Sequence, residues 1–137
     1  MATVTWFQYA WGFLPQPSGD IAVWQPLNRL YCKRFPHWQT LAIGFELQNI
    51  DLTRDNLIAV HFYAPHLVSP LATAEGLTEK IPGAKNGVFQ HHLRFENLPL
   101  EKEGEYYSIL YINGRKAGTF PLTVTRKRFM EELRVVT

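Results

Sequence analysis

The sequence predicts an all-β protein: a two-sheet, antiparallel β-sandwich followed by a short C-terminal helix. Three observations support this fold class. Aromatic residues are abundant (4 Trp, 6 Tyr and 9 Phe in 137 residues), and aromatic side chains favour strands. Short segments of alternating polarity are separated by turns rich in Pro, Gly and Asn. Helical spacing of apolar residues occurs in the tail.

Chain length and composition predict a single globular domain. A chain of 137 residues with 46% apolar residues can bury roughly two thirds of its unfolded surface. The alternating segments predict strands over 3–11, 21–31, 40–48, 57–64, 67–74, 88–97, 105–112 and 118–124. Pro26 and Pro121 indicate edge positions, because proline cannot donate to a neighbouring strand. The stretch 75–87 is predicted to be a loop.

The tail changes its period. Phe129, Met130 and Leu133 are at helical spacing, and pairs of basic and acidic residues four positions apart are compatible with one helix face. The predicted domain therefore has a sandwich core over about residues 3–125 and a helical tail over 126–134.

The stretch 101–114, "EKEGEYYSILYING", predicts both a strand and its ends. Asn113 and Gly114 both accept the positive φ of a type I′ hairpin turn. At the strand start, Gly104-Glu105-Tyr106 is similar to the tyrosine corner of immunoglobulin-like domains. Ser108 stands where those domains have a cysteine, so the likeness is to a variant without a disulfide.

A wider resemblance covers about residues 5–125. The residues that carry it are Asn28, Arg29, Phe35, Pro36, Phe95, Asn97, Leu98, Pro99, Gly104, Glu105, Tyr106, Asn113, Gly114, Pro121 and Val124. This pattern resembles a family of small bacterial proteins catalogued as a domain of unknown function. The resemblance implies an immunoglobulin-like sandwich and offers no catalytic residues.

Charge and cysteine content predict a soluble cytoplasmic protein. A net charge of +2 is too small to imply a nucleic-acid or membrane partner by itself. The single cysteine, Cys32, has no partner for an internal disulfide. The N-terminal stretch lacks a basic region before its apolar part, and no apolar run is long enough to span a bilayer.

The sequence shows no catalytic or metal-binding motif, so no catalytic residue, metal or cofactor is predicted. His91 and His92 are neighbours on a strand, where side chains alternate between faces. Cys32 has no identifiable base and is expected to be a buried or half-buried thiol. A non-enzymatic role is favoured, and a small hydrolase with an unrecognised site is left open.

The leading functional hypothesis is a protein-interaction module that self-associates, based on the aromatic surplus and the amphipathic tail. The alternative is a nucleic-acid-binding module that uses the segment 29–38, where cations alternate with aromatic residues. The candidate interaction residues are Arg29, Tyr31, Lys33, Arg34, Trp38, Phe129, Met130 and Leu133. In a structural interpretation of that segment, Tyr31, Phe35 and Trp38 pack inward.

Overall fold

The computed structural model of the chain describes residues 2–15, 21–84 and 86–127, apart from the side chains of 13–15 and 21–24. These residues form nine strands. The strands are β1 (Thr3–Pro15), β2 (Ile21–Leu27), β3 (Arg29–Cys32), β4 (His37–Ile50), β5 (Leu57–Tyr63), β6 (Ala72–Leu77), β7 (Gly87–Leu100), β8 (Gly104–Ile112) and β9 (Arg115–Arg126). The all-β prediction is confirmed for this part of the chain.

The strands form two sheets, as predicted. The four-stranded sheet has the order β2-β1-β4-β7, and the five-stranded sheet has the order β3-β9-β8-β5-β6. The prediction of purely antiparallel pairing is wrong for one pair, because β3 runs parallel to β9. The strand predicted over 21–31 is in fact two strands. The chain leaves the four-stranded sheet after Leu27 and enters the five-stranded sheet at Arg29.

The core lies between the inner faces of the two sheets. In β4, Leu41, Ile43, Phe45 and Leu47 are each at most 1% exposed, which confirms the predicted alternation. A polar bridge crosses this core: the Tyr9 hydroxyl donates to the Phe120 carbonyl at 2.6 Å and is 2.8 Å from the Ser108 hydroxyl. Burial raises the pKa of the Tyr9 phenol, so the bridge stays uncharged.

The strand order is that of an immunoglobulin-like sandwich. In such domains strands C, F and G are neighbours in one sheet and A, B and E in the other. Here β5, β8 and β9 are neighbours, as are β1, β4 and β7. The tyrosine corner is also present, because the fully buried Tyr106 donates its hydroxyl to the Lys102 carbonyl at 2.7 Å.

The tyrosine corner gives a first testable prediction. Replacing Tyr106 with Phe removes the hydrogen bond to Lys102 and leaves the ring in place. Because water can still reach the carbonyl of this exposed loop residue, we expect a loss of about 1 kcal/mol in the free energy of unfolding. Urea denaturation of the two proteins measures the difference, and an unchanged midpoint would show that the bond contributes nothing.

The predicted β8–β9 hairpin is confirmed. The two turn residues, Asn113 and Gly114, have φ angles of 51° and 80°. Asn113 also holds the turn against β5, since its side-chain oxygen accepts from the Leu57 amide at 2.8 Å and its amide nitrogen donates to Asn56 Oδ1 at 3.0 Å. The tip of the hairpin is therefore fixed to a neighbouring strand.

Two further predictions need correction or fall outside the structure. The predicted strand over 67–74 lies instead at 72–77, where pairing with β5 overrides the loop signal of Glu75 and Gly76. The predicted helix over 126–134 does not begin at Arg126, which is the last residue of β9. Its remaining residues from 128 onward lie outside the described residues.

Candidate functional site

The outer side of the five-stranded sheet carries an aromatic surface. Alternation along β5 and β8 sends Val60, Phe62 and Leu110 into the core and leaves the intervening side chains on the outer side. We call five of these outward side chains the tyrosine face. Its members are His61, Tyr63, Tyr107, Ile109 and Tyr111, all partly exposed.

The rings of the tyrosine face support one another. Tyr63 and Tyr107 are directly paired across the two strands, and their ring centroids are 5.0 Å apart with nearly parallel planes. His61 contacts Tyr111 with a centroid distance of 4.9 Å. The pKa of Tyr63 is raised, first by desolvation and then by Tyr111. The rings of the face are therefore ordered by their contacts with one another.

Apolar side chains on neighbouring positions extend the tyrosine face. Leu57 and Leu77 are paired in register and are 39% and 65% exposed, and Tyr31 on β3 is 58% exposed. A shallow depression of about 220 Å³ lies on the face, lined by Leu57, His61, Tyr111 and the carboxylate-bearing Glu75, among others. Such a depression can accept a side chain from a partner.

The outer side of the four-stranded sheet is different. There the Glu46 carboxylate accepts hydrogen bonds from Thr5 at 2.7 Å, Gln90 at 2.7 Å and Gln48 at 3.1 Å. These bonds lower the pKa of Glu46, Gln90 being the largest cause. Further along, Arg94 pairs with Glu96 at 3.0 Å. This polar network around Glu46 is what a solvated sheet face normally has. Exposed Trp11 and Trp38 also belong to strands of this sheet, so the two sheets differ in the close packing of the rings on β5 and β8.

The predicted segment 29–38 is divided between the sheets. Arg29 and Tyr31 lie on the outer side of β3, where Arg29 donates to Thr125 Oγ1 at 3.1 Å. Trp38 is 63% exposed but belongs to β4 in the four-stranded sheet. Lys33 and Arg34 are exposed in the bend between them. The interpretation in which Tyr31 and Trp38 pack inward is wrong.

Of the aromatic residues in that segment, Phe35 packs against the core. The candidate residues in the tail, Phe129, Met130 and Leu133, lie outside the described residues. Sequence reasoning missed the tyrosine face altogether. Its signal was present in "VHFY" and "EYYSILY", where aromatic residues occur at both parities of a strand.

A second feature is an apolar pocket of about 230 Å³ at the open side of the sandwich, between the edge strands β6 and β7. Its lining residues include Phe45, Val60, Phe89, His91 and Leu93. Burial lowers the pKa of His91, and the neighbouring His92 adds to this. His91 lies on the pocket side with Phe89 and Leu93, and the centroid of the His92 ring is 5.9 Å from that of His91.

The environment of His91 predicts a pH effect on stability. A folded pKa below the unfolded value of about 6.5 means that the unfolded chain binds more protons, so stability falls as pH drops through that region. In His91→Phe, urea midpoints measured from about pH 8 to pH 5 should decline less steeply than in the natural protein. At pH 8 the histidine is neutral in the folded and the unfolded chain, so the difference between the two urea midpoints at that pH measures only the change in packing. Equal slopes in both proteins would contradict this assignment.

Within the described ranges, no cluster of three or more His, Cys, Asp or Glu side chains is arranged to hold a metal ion. Cys32 is buried in β3, as expected, and burial raises the pKa of its thiol. A raised pKa is the opposite of what a nucleophilic thiolate needs. The described part of the chain also contains no helix with the length and apolarity to cross a membrane.

The strand order and the tyrosine corner define an immunoglobulin-like β-sandwich, and its five-stranded sheet carries the tyrosine face. No family model matches the chain, and neither does any curated protein. The chain is similar to the crystal structure of an immunoglobulin-like protein from Pseudomonas aeruginosa, with a TM-score of 0.47 and 13% identity over 90% of this chain and 96% of that one.

The chain is also similar to the alkylpurine DNA glycosylase AlkC of Pseudomonas fluorescens, in a structure bound to DNA with an abasic-site analogue. That similarity has a TM-score of 0.49 and 7% identity, and it covers 87% of this chain and 30% of the glycosylase. The fold assignment itself rests on the strand order and on the tyrosine corner.

Proposed function

We propose that the protein is a non-enzymatic interaction module that self-associates through the tyrosine face. The cluster of mutually packed rings on the five-stranded sheet carries the proposal. It presents the stacked rings of Tyr63 and Tyr107 beside Ile109, whereas the corresponding part of the four-stranded sheet has a polar network around Glu46. Tyrosine is enriched at protein interfaces because it provides large contact area with little conformational entropy to lose.

A second copy of the chain suits this surface. Most homo-oligomers are two-fold symmetric, so each patch meets itself. The five named members of the face include no Asp, Glu, Lys or Arg side chain, so two copies of its centre can meet without the like-charge repulsion that such side chains would cause. Glu105, at the border of the face, accepts a hydrogen bond from Thr123 at 3.0 Å. The centre of the face, around Ile109, contains the aromatic and aliphatic side chains.

The size of the surface is also adequate. Five strands about 4.8 Å apart, with a central strand of nine residues rising about 3.3 Å each, make a face of roughly 700 Å². A standard stable interface buries about 800 Å² per partner. The whole outer side of this sheet, with the tyrosine face at its centre, can therefore supply most of a dimer interface.

Proton NMR of the aromatic side chains at increasing protein concentration tests the proposal. The ring resonances of Tyr63, Tyr107 and Tyr111 should shift or broaden with concentration as the dimer forms. The indole of Trp6, on the four-stranded sheet, is the internal control and should stay constant. Concentration-independent tyrosine resonances, or equal changes at Trp6, would refute association through this face.

Nucleic-acid binding through the segment 29–38 is the second candidate, and the exposure of Tyr31 and Trp38 favours it. Exposed aromatic rings can stack on bases, while nearby cations contact phosphates. The hypothesis predicts a mobility shift with single-stranded DNA that weakens as salt increases and weakens further in Arg34→Ala. The absence of any shift at low salt would remove this candidate.

We also propose that the chain belongs to the family of small bacterial proteins that its motifs resemble. Bacterial origin and a cytoplasmic location are part of this proposal. The motifs that carry the resemblance occupy structural positions, such as Tyr106 at the corner and Asn113 in the hairpin turn. These positions support a shared scaffold. They do not bear on the role of the tyrosine face, which we propose for this chain only.

A further inference from the structure

The end of the sandwich away from the tyrosine corner carries a wide cleft with a different chemistry. The β4–β5 loop, the end of the β6–β7 loop and the β8–β9 hairpin turn meet there. The cleft has a volume of about 930 Å³, and its lining includes Asn49, Ile50, Asp51, Arg54, Asn56, Asn86, Ile112, Asn113, Arg115 and Lys116. We call it the loop-end cleft. In immunoglobulin-like sandwiches, loops clustered at one end form a common binding region.

Positive charge is concentrated in this cleft. Arg54, Arg115 and Lys116 line it together with one acidic side chain, Asp51, so three cations and one anion give +2 there. The whole chain also has a net charge of +2. The Asp51 carboxylate accepts hydrogen bonds from the backbone amide and the hydroxyl of Thr53.

The cationic residues of the hairpin are held by an ordered turn. Arg115 follows directly after Asn113 and Gly114, whose positive φ angles close the two-residue turn. Asn113 is tied to Leu57 and Asn56 by side-chain hydrogen bonds of 2.8 and 3.0 Å. The backbone that carries Arg115 and Lys116 is therefore fixed before any ligand arrives, which lowers the entropic cost of binding.

We propose that the loop-end cleft binds the phosphoryl group of a small organic phosphate. Guanidinium groups bind phosphate through two parallel hydrogen bonds, and lysine adds a compact charge. Two arginines and one lysine suit a dianion better than a singly charged carboxylate. The apolar floor at Ile50 and Ile112 and the volume of the cleft leave room for an organic group next to the phosphate. This site borders the tyrosine face, since Lys116 is paired with Tyr111, but the proposal does not depend on self-association.

Calorimetric titration with phenyl phosphate, inorganic phosphate and benzoate tests the ligand class. Phenyl phosphate should bind most tightly, because it uses both the cations and the apolar floor. Inorganic phosphate should bind more weakly, and benzoate, with a single charge, most weakly of the three. An absence of phenyl phosphate binding at about 10 mM, or equal affinity for benzoate, would overturn the assignment.

Two charge variants locate the site. Arg115→Gln should weaken phenyl phosphate binding about tenfold or more, as expected for the loss of a charge-assisted contact. Arg94→Gln is the matched control, since it removes the same charge from the outer side of the four-stranded sheet, where Arg94 pairs with Glu96. The control should bind within about twofold of the natural protein. An equal loss in both variants would mean unspecific attraction by net charge and would contradict the site.

Discussion

Replacing Ile109 with Glu is expected to abolish self-association while leaving the fold intact. Ile109 lies at the centre of the tyrosine face, between Tyr107 and Tyr111 on β8 and opposite His61 on β5. In a two-fold dimer the new carboxylate would be buried near its own copy. Leaving a charge buried without a partner costs about 3–5 kcal/mol, so the dissociation constant should rise at least about a hundredfold. Sedimentation equilibrium measures it directly.

Thr3→Glu is the matched control for this variant. Thr3 is an exposed β-branched residue on β1 of the four-stranded sheet, so the same charge is added to a strand on the opposite outer face. Its dissociation constant should stay within a few-fold of the natural value. If Thr3→Glu dissociated the protein as strongly as Ile109→Glu, the effect would be one of net charge, and the tyrosine face would lose its assigned role.

Gly104→Ala should be strongly destabilising. Gly104 has a φ of 153°, and a Cβ at that position would be 2.7 Å from Cγ of Pro65. The proline ring cannot swing aside as a flexible side chain would. Backbone strain and the clash together should cost about 3 kcal/mol of unfolding free energy, and the tyrosine corner that follows would be displaced. Thermal and urea denaturation measure the loss.

Two other glycines separate the two causes. Gly114 has a φ of 80° and no heavy atom within 4 Å of the place that an added methyl group would occupy, so Gly114→Ala tests strain alone and should cost about 1 kcal/mol. Gly76 has similar space and no positive φ. Gly76→Ala should therefore change stability by less than about 1 kcal/mol in either direction. Equal effects of all three substitutions would contradict the geometric argument for Gly104.

The local parts of the fold were predictable because their signals lie within a few residues. Asn113-Gly114 specifies its turn through backbone preference alone, and Tyr106 bonds only four residues back along the chain. The alternation in β4 identifies its buried side. In each case the interacting groups are close in sequence, so pattern and structure are directly linked.

The parts that were missed depend on distant pairings. The segment 21–31 is divided at Asn28 because its second part, β3, pairs with β9, about a hundred residues later in the chain. The tyrosine face arises because β5 pairs with β8, which places Tyr63 beside Tyr107. Aromatic residues occupy both alternating sets of positions in these strands, and no local pattern shows which set will be buried. The loop-end cleft likewise joins Arg54 and Arg115 from two distant loops.

Static light scattering of the full chain, and of a chain ending at Lys127, tests the central claim most directly. Lys127 is a suitable end, because its amide still donates to the Cys32 carbonyl at 2.7 Å. The account predicts a mass of twice 15.9 kDa for the full chain and a dimer for the shortened chain as well. A monomeric full chain at high concentration would contradict self-association. A dimer lost on truncation would assign association to residues 128–137 and contradict the role of the tyrosine face.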